Sequence, residues 1–281
     1  MQTYALLDTG DGLRLEQWGP YKIVRPEPSA HWNKTEEAPW SSADAIYTGS
    51  SVQNGSWDVH TSVPDSWPIS LGQWQFSIGL GSSKHVGLFP EQLEQWELLH
   101  EVLSRKAPAF TEPIRCLNLF AYTGAASIVA AMAGAFTTHV DSSAPAIGRA
   151  KENQALNKLS PTSIRWIRDD VLTFVQREIR RGHFYDVICL DPPAYGHGTK
   201  GERFSVEKDF TLLLMEVQKL LSKTAIAVFV TTYSDNRSPQ ELNTRCQTVF
   251  PQATITAKPL TLITESTQRP LSTGSWAVAQ F

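Results

Sequence analysis

Cysteine is scarce in this chain. Of its 281 residues only Cys116, Cys189 and Cys246 are cysteines, and no two stand in Cys-x-x-Cys spacing. That excludes a disulfide framework, argues against structural zinc and fits the reduced thiols of a cytoplasmic protein. Cys116 and Cys189 lie in apolar runs, where a thiol is usually a small buried apolar group. The seven histidines are scattered, so no metal site is expected; His139 reads as a packed core residue. No apolar run approaches the ~20 residues that span a bilayer. Met1 to Gly12 holds acids and no apolar core, so no signal peptide is expected. Repeats and low-complexity tracts are absent. Positive charge is not in excess either. The net charge of −3 is awkward for a nucleic-acid partner, because phosphate neutralisation drives that binding. A local basic face stays compatible with it, since net charge says nothing of distribution.

The stretch that organises the chain is Arg115 to Ser127, and it too is poor in something: glycine. An apolar run, Arg115-Cys116-Leu117-Asn118-Leu119, enters a turn that ends Thr123-Gly124. A small-residue helix, Ala125 to Gly134, follows. Strand, tight turn and helix open a doubly wound α/β sheet, whose ligands bind at the carboxyl ends of the strands. A dinucleotide turn needs three glycines and a phosphate loop ends Gly-Lys-Ser/Thr. Here Phe120 and Tyr122 occupy the turn instead. It suits an uncharged or zwitterionic nucleoside, although an ordinary strand-to-helix turn without a ligand would look the same. The following segments point to a ligand. Thr137 to Val140 ends in Asp141, where such folds place the carboxylate that accepts from ribose hydroxyls. Ser163 to Ile167 runs into Asp169 and Asp170. Tyr185 to Leu190 runs into Asp191-Pro192-Pro193-Ala194-Tyr195-Gly196. Four strand ends, three of them acidic, therefore meet at one edge of one sheet.

Taken in order, these segments resemble class I S-adenosylmethionine-dependent methyltransferases. Asn118 to Gly124 is similar to their first motif, Asp141 to the second, Asp170 to the third and Asp191 to Tyr195 to the fourth. The Asp-Pro-Pro-x-Tyr form is similar to that of bacterial large-subunit ribosomal RNA methyltransferases. Lys84-His85-Val86-Gly87-Leu88-Phe89-Pro90-Glu91-Gln92 resembles the segment those enzymes carry before the cofactor domain. The resemblance covers about residues 84 to 281. It implies a Rossmann-like seven-stranded α/β sheet, S-adenosyl-L-methionine as cofactor and an RNA substrate; the scattered histidines and short apolar runs already speak against a metal or a membrane.

The first 83 residues read as a small β-rich domain with long loops, a candidate for substrate recognition. Trp18, Trp32, Trp40, Trp57, Trp67 and Trp74 crowd into it. They build either its core or a base-stacking surface. Trp18-Gly19-Pro20 between Leu13–Gln17 and Tyr21–Val24 suggests a hairpin; Trp57 to Thr61 and Gln73 to Leu80 suggest further strands. Residues 84–113 connect the domains, with a helix over 90–105 marked by Pro90 and by Leu93, Trp96, Leu99, Val102 and Leu103. Residues 114–281 form the cofactor domain. Helices are expected near 125–134, 144–157, 170–181, 207–222 and 238–248, a fifth strand over 225–231, and a closing pair over 254–262 and 275–281.

The resemblance also assigns chemistry. Asp141 would hold the ribose, with Ser142 beside it. Asp170, or Asp169 one residue earlier, would accept from the adenine amino group, next to Val171. Asn118, Phe120, Ala121, Thr123 and Gly124 would line the methionine part, and Phe89 and Gln92 would cover the cofactor. Asp191, Pro192 and Pro193 would present a carboxylate and a carbonyl to the target atom, and Tyr195 would stack on a flipped-out base. Relatives that methylate pyrimidine carbon 5 carry a cysteine nucleophile just after the fifth strand. Phe229-Val230-Thr231-Thr232-Tyr233-Ser234 has none, and position 194 is alanine, so attack by a nitrogen is favoured. Lys200 and Arg203, in the loop from His197 to Ser205, could close on a phosphate backbone; Arg177, Arg180 and Arg181 read as a solvated helix end. A small-molecule or protein methyltransferase would share every cofactor residue. A non-catalytic cofactor-binding module would have little use for Asp191-Pro192-Pro193.

Overall fold

The computed structural model describes residues 3–36, 38–49, 55–197, 203–233 and 238–281. The chain divides into two compact units. One is Met1–Leu93 with Thr261–Thr273; the other is Glu94–Leu260 with Gly274–Phe281.

In the first unit β1 (Tyr4–Gly10), β2 (Leu13–Trp18), β3 (Tyr21–Pro26), β4 (Ala45–Thr48) and β5 (Ser56–Val59) form one sheet in chain order. β6 (Trp67–Leu71) and β7 (Trp74–Ile78) form a separate hairpin. Asp11-Gly12 joins β1 to β2 with both residues at positive φ, 52° and 74°, the primed turn that matches strand twist. The tryptophans differ in burial. Trp18, Trp67 and Trp74 are buried. Trp32, Trp40 and Trp57 are half-buried, each donating its indole N–H, to Thr9 O, Asp8 Oδ2 and Ser83 O.

This unit also buries charge. Arg25, fully buried, clamps Glu16 through Nε and Nη2 at 2.6 and 3.0 Å. Burial works to raise the Glu16 carboxyl, but Arg14 and Arg25 outweigh it and hold it down to about 2. Arg25 also donates Nη1 to Lys84 O, and Lys84 Nζ donates to Pro26 O. These bonds anchor the segment that leads to Phe89 and Gln92.

Asp8 is buried at the far end of β1. It accepts from Thr35 N and Oγ1, Trp40 Nε1 and Ser266 Oγ. Ser266 lies among residues 261–273, where Glu265 N and Ser266 N donate to Leu6 O and Leu7 O.

The second unit opens inside α1 (Leu93–Lys106), which starts one turn later than expected because Pro90–Gln92 is a 3₁₀ turn. The sheet follows: β8 (Arg115–Leu119), α2 (Ala125–Met132), β9 (Phe136–Asp141), α3 (Ala144–Leu156), β10 (Ile164–Arg168), α4 (Val171–Arg181), β11 (Val187–Leu190), a short pair β12 (Tyr195–His197) and β13 (Arg203–Ser205), α5 (Val206–Gln218), β14 (Ala227–Thr232), α6 (Pro239–Val249), β15 (Thr254–Ile263) and β16 (Pro270–Gln280). The strand order is β10-β9-β8-β11-β14-β16-β15, parallel through β14, with β16 antiparallel to β14. This is the expected seven-stranded, doubly wound α/β sheet, and its order reverses between β8 and β11.

Strand alternation gives the sheet two apolar faces. Leu117, Leu119, Val140, Ile188, Leu190, Val228 and Val230 pack with Phe174 of α4, Leu213 and Leu214 of α5 and Leu242 of α6. Residues of opposite parity meet the other helices. Asn118 meets Ser127 of α2, and Thr231 donates to Gln95 of α1. Helix starts follow their caps: Ser143, Asp170 and Ser238 accept from Ala146 N, Thr173 N and Glu241 N, and Pro145 and Pro239 sit in the first turns. Among the described residues no helix is long and apolar enough to cross a membrane.

Asp8→Ala removes a buried acceptor shared by four donor groups and should destabilise the first unit by about 3 kcal/mol. Burial works to raise the Asp8 carboxyl, yet bonds from Ser266, Thr35 and Trp40 leave it lowered. Its contribution is therefore present above the ordinary carboxylate range and is lost as pH falls through the folded value. Urea unfolding at pH 7 and at about pH 3 should show the gap between wild type and variant narrowing in acid.

Candidate active site

The register brings the expected strand ends into one row. Leu119 pairs with Leu190 and with Val140, and Asp141 pairs with Arg168. The turn after β8 therefore stands between Asp191 and Asp141, and Asp169 and Asp170 follow on the far side of Asp141. Backbone bonds tie the row together: Ala121 N to Val140 O, Asp169 N to Asp141 O and Asp191 N to Leu119 O.

The turn itself is strained. Phe120, Tyr122 and Gly124 have φ of 54°, 49° and 84°. Only glycine adopts that region without cost, and a bulky residue held there marks an over-determined site. Gly124 has a second reason to be glycine: a Cβ would lie 3.0 Å from Ala150 Cβ on α3. Ala121 and Thr123 are buried and Phe120 is half-buried.

Asp141 holds the turn from the side. Its Oδ2 accepts from Tyr122 N and its Oδ1 from Ser143 N, both at 2.8 Å. Burial raises its carboxyl, against the opposing pull of the Ser143, Tyr122 and Ser142 amides. Each carboxylate oxygen can accept more than one bond, so the group can still receive hydroxyls.

The two neighbouring acids are not equivalent. Asp169 is ion-paired with Arg177 Nη1 at 2.6 Å and accepts from Asp170 N. Asp170 spends Oδ1 on Thr173 N, capping α4. Among the described residues its Oδ2 accepts nothing. Val171 is buried as the first residue of α4.

On the other side, Asp191 is half-buried, Pro192 buried and Pro193 exposed. Two consecutive prolines fix two φ angles and carry the chain to β12. The side chains of Tyr195 and Arg203 and all of Lys200 lie outside the described residues. Phe89 and Gln92 fall in the first unit, apart in the chain from the four motifs of the second.

Beneath the turn runs a polar chain that sequence reading missed. Asn118 and His139 are register partners on β8 and β9. Asn118 Nδ2 donates to Ser127 Oγ at 2.9 Å, and Ser127 Oγ meets His139 Nδ1 at 3.0 Å. Asn153 of α3 donates to Thr123 O at 2.8 Å. Ser127, His139 and Asn153 are fully buried. Burial alone lowers the His139 ring to about 3, so it is neutral. Its ring packs 4.7 Å from Trp166. His139 Nε2 has no hydrogen-bond partner among the described residues. The available signal was the side-by-side placement of two polar residues in core strands, which shows only once strand pairing is known.

The three cysteines are free and buried. A hydrogen bond with Cys116 together with burial pushes the Cys189 thiol up, and burial pushes Cys246 up to about 12. Among the described residues no group of histidines, cysteines and acids could hold a metal ion.

The donor set fits an adenosyl sulfonium compound better than a phosphate. Residues 116 to 148 contain no lysine or arginine, so the turn offers no side-chain cation to a pyrophosphate. It offers instead an acid already oriented by two amides, and uncharged walls. Fold and edge together define a nucleoside-binding doubly wound protein.

The class narrows to a family. The chain belongs to the S-adenosylmethionine-dependent methyltransferases: the model of that family matches residues 53–240. A solved SAM-dependent methyltransferase from Agrobacterium tumefaciens is 37% identical, superposes with a TM-score of 0.91, and is covered over 100% of this chain and 91% of its own. SMU.776, solved complexed with SAH, is 19% identical with a TM-score of 0.76 over 99% of this chain and 75% of its own, a likeness of fold. The ribosomal RNA large subunit methyltransferase K/L of Shewanella sp. (strain MR-4) is 34% identical over 173 residues, 60% of this chain. The matched stretch spans 23% of that relative's length.

Gly124→Ala must hold a Cβ at φ 84° against Ala150. It should cost about 1–2 kcal/mol of stability from backbone strain, measurable as a lower urea midpoint with an unchanged slope. An unchanged midpoint would mean the turn relaxes freely.

Proposed function

We propose that this chain is a methyltransferase that uses S-adenosyl-L-methionine to modify RNA, with ribosomal RNA as the substrate class and a ring or exocyclic nitrogen as acceptor. The observation that carries the reading is the row formed by the strained turn, Asp141 and Asp191-Pro192-Pro193 on one sheet edge. The name of the Shewanella relative favours ribosomal RNA. A cytoplasmic setting goes with that substrate. The −3 net charge favours the second reading, a small-molecule or protein substrate.

When bound, the cofactor supplies an electrophilic methyl group on a sulfonium. The chain's own residues would do the rest. Asp141 would accept from the ribose hydroxyls. Asp170 would accept from the adenine amino group through Oδ2; the Arg177 partner of Asp169 supports choosing Asp170. Asn118, Phe120, Ala121, Thr123 and Gly124 would line the methionine part, with Ser142 and Val171 beside the acids. Phe89 and Gln92 remain expected contacts to the same cofactor.

Asp191 would accept a hydrogen bond from the attacking nitrogen and offset the positive charge that develops on it. The prolines hold that carboxylate with little further loss of entropy. Tyr195 would stack on the extruded base. A nitrogen lone pair needs no covalent activation, unlike pyrimidine carbon 5. Three buried cysteines, two with thiols pushed up, support that choice, because the thiolate is the nucleophile. Tyr233 stands where the carbon-methylating relatives carry theirs.

Mass spectrometry of ribosomal RNA nucleosides from cells with and without the protein tests the substrate. A single methylated nucleoside should disappear in its absence; unchanged ribosomal RNA alongside a methylated metabolite would favour the second reading. With RNA from the deleted strain and tritiated cofactor, Asp191→Ala should cut turnover by about a hundredfold, the scale of one well-placed polar group. Replacing all three cysteines with alanine should leave turnover per folded molecule intact. A covalent adduct with a fluorinated pyrimidine, lost on replacing one cysteine, would overturn nitrogen attack.

A further inference from the structure

We propose that Ser127 and His139 are positioning residues for the cofactor, a buried strut that sets the conformation of the turn from Phe120 to Gly124. The proposal rests on the methyltransferase reading above.

Three elements end at this turn: β8 enters it, α2 leaves it, and β9 supplies Asp141 beside it. The Asn118–Ser127–His139 chain ties one side chain from each, at 2.9 and 3.0 Å. Asn118 lies two residues before Phe120, Ser127 three residues after Gly124, and His139 two residues before Asp141. A sideways slip of any element would stretch a bond in the chain. Strained backbone of the Phe120 and Tyr122 kind persists only when its surroundings over-determine it. The strut, with Asn153 holding Thr123 O, supplies that constraint from below.

Packing alone does not explain these residues. Ser127 and His139 are fully buried, where apolar side chains of similar size would pack without polar atoms to satisfy. The chain even tolerates a His139 Nε2 with no partner among the described residues, a group that calls for an explanation in any native structure. The bonds also define the proton's place. Asn118 donates to Ser127 Oγ, which frees the Ser127 hydroxyl to donate to Nδ1. A neutral ring then carries its proton on Nε2. What the strut needs from position 139 is therefore one acceptor at the Nδ1 location, and not a titrating ring.

That requirement yields a discriminating set of variants: Ser127→Ala, His139→Leu and His139→Asn. Asparagine places its amide oxygen near the Nδ1 position and can accept from Ser127; leucine cannot. Each full-length variant is titrated with S-adenosylhomocysteine by calorimetry, well below its own melting midpoint. Ser127→Ala and His139→Leu should weaken binding about tenfold, while His139→Asn should stay within about threefold of wild type. Should His139→Leu fail to fold, Ser127→Ala against His139→Asn decides. Wild-type affinity in Ser127→Ala, with or without a lower melting midpoint, would make the strut structural only and overturn the proposal. Equal weakening in His139→Asn and His139→Leu would overturn the acceptor role. Wild-type protein that does not bind the probe would instead sink the methyltransferase reading.

Discussion

Everything at the candidate site depends on one short piece of backbone held where it would not rest by itself. Between the last residue of β8 and the first of α2, Phe120, Tyr122 and Gly124 all take left-handed φ. The sheet makes this possible. Ala121 N and Tyr122 N are fixed to β9, through Val140 O and the Asp141 carboxylate. Small residues, Gly124 against Ala150, let α2 and α3 close over it. The strands set the acids in turn: Asp141 ends β9 and Asp191 follows directly on β11.

The first unit solves a different problem. It is small, and its strands carry charge inward: Arg14, Glu16 and Arg25 are all buried. Such groups are costly unless paired, and the paired geometry is specific, since Arg25 grips Glu16 with two nitrogens and Lys84 O with a third. The network orients the chain entering residues 84–92 more than it adds stability. Asp8 does similar work at the other end of β1, gathering residues 35, 40 and 266.

Much of the cofactor domain was legible in the sequence because its signals are local. An apolar run into Thr123-Gly124, acids at strand ends and Pro145 or Pro239 after a capping serine all act within a few residues. Helices fell within a few residues of expectation. The β-rich unit was less legible. β1 has a register break between Leu6 and Asp8 and turns buried polar residues inward, so it shows no clean alternation. β4 has four residues, too few for a periodic signal. β16 begins at Pro270, before the expected 275, because β15 and β16 stay paired up to the turn closed by Thr264 N and Arg269 O; residues 261–273 at that end fall with the first unit. The tryptophans could not be sorted either: Trp18 and Trp40 differ in burial through tertiary contacts alone. At the site, the acids were visible, but the Ser127–His139 strut was not, because it exists only across paired strands.

The central claim is that the turn and Asp141 hold an adenosyl cofactor at the edge between β8 and β9. A crystal structure with S-adenosylhomocysteine tests it most directly. The account predicts both ribose hydroxyls within hydrogen-bond distance of the Asp141 carboxylate and the adenine amino group on Asp170. A ligand seated elsewhere, with the Asp141 carboxylate bonded only to Tyr122 N and Ser143 N, would contradict it.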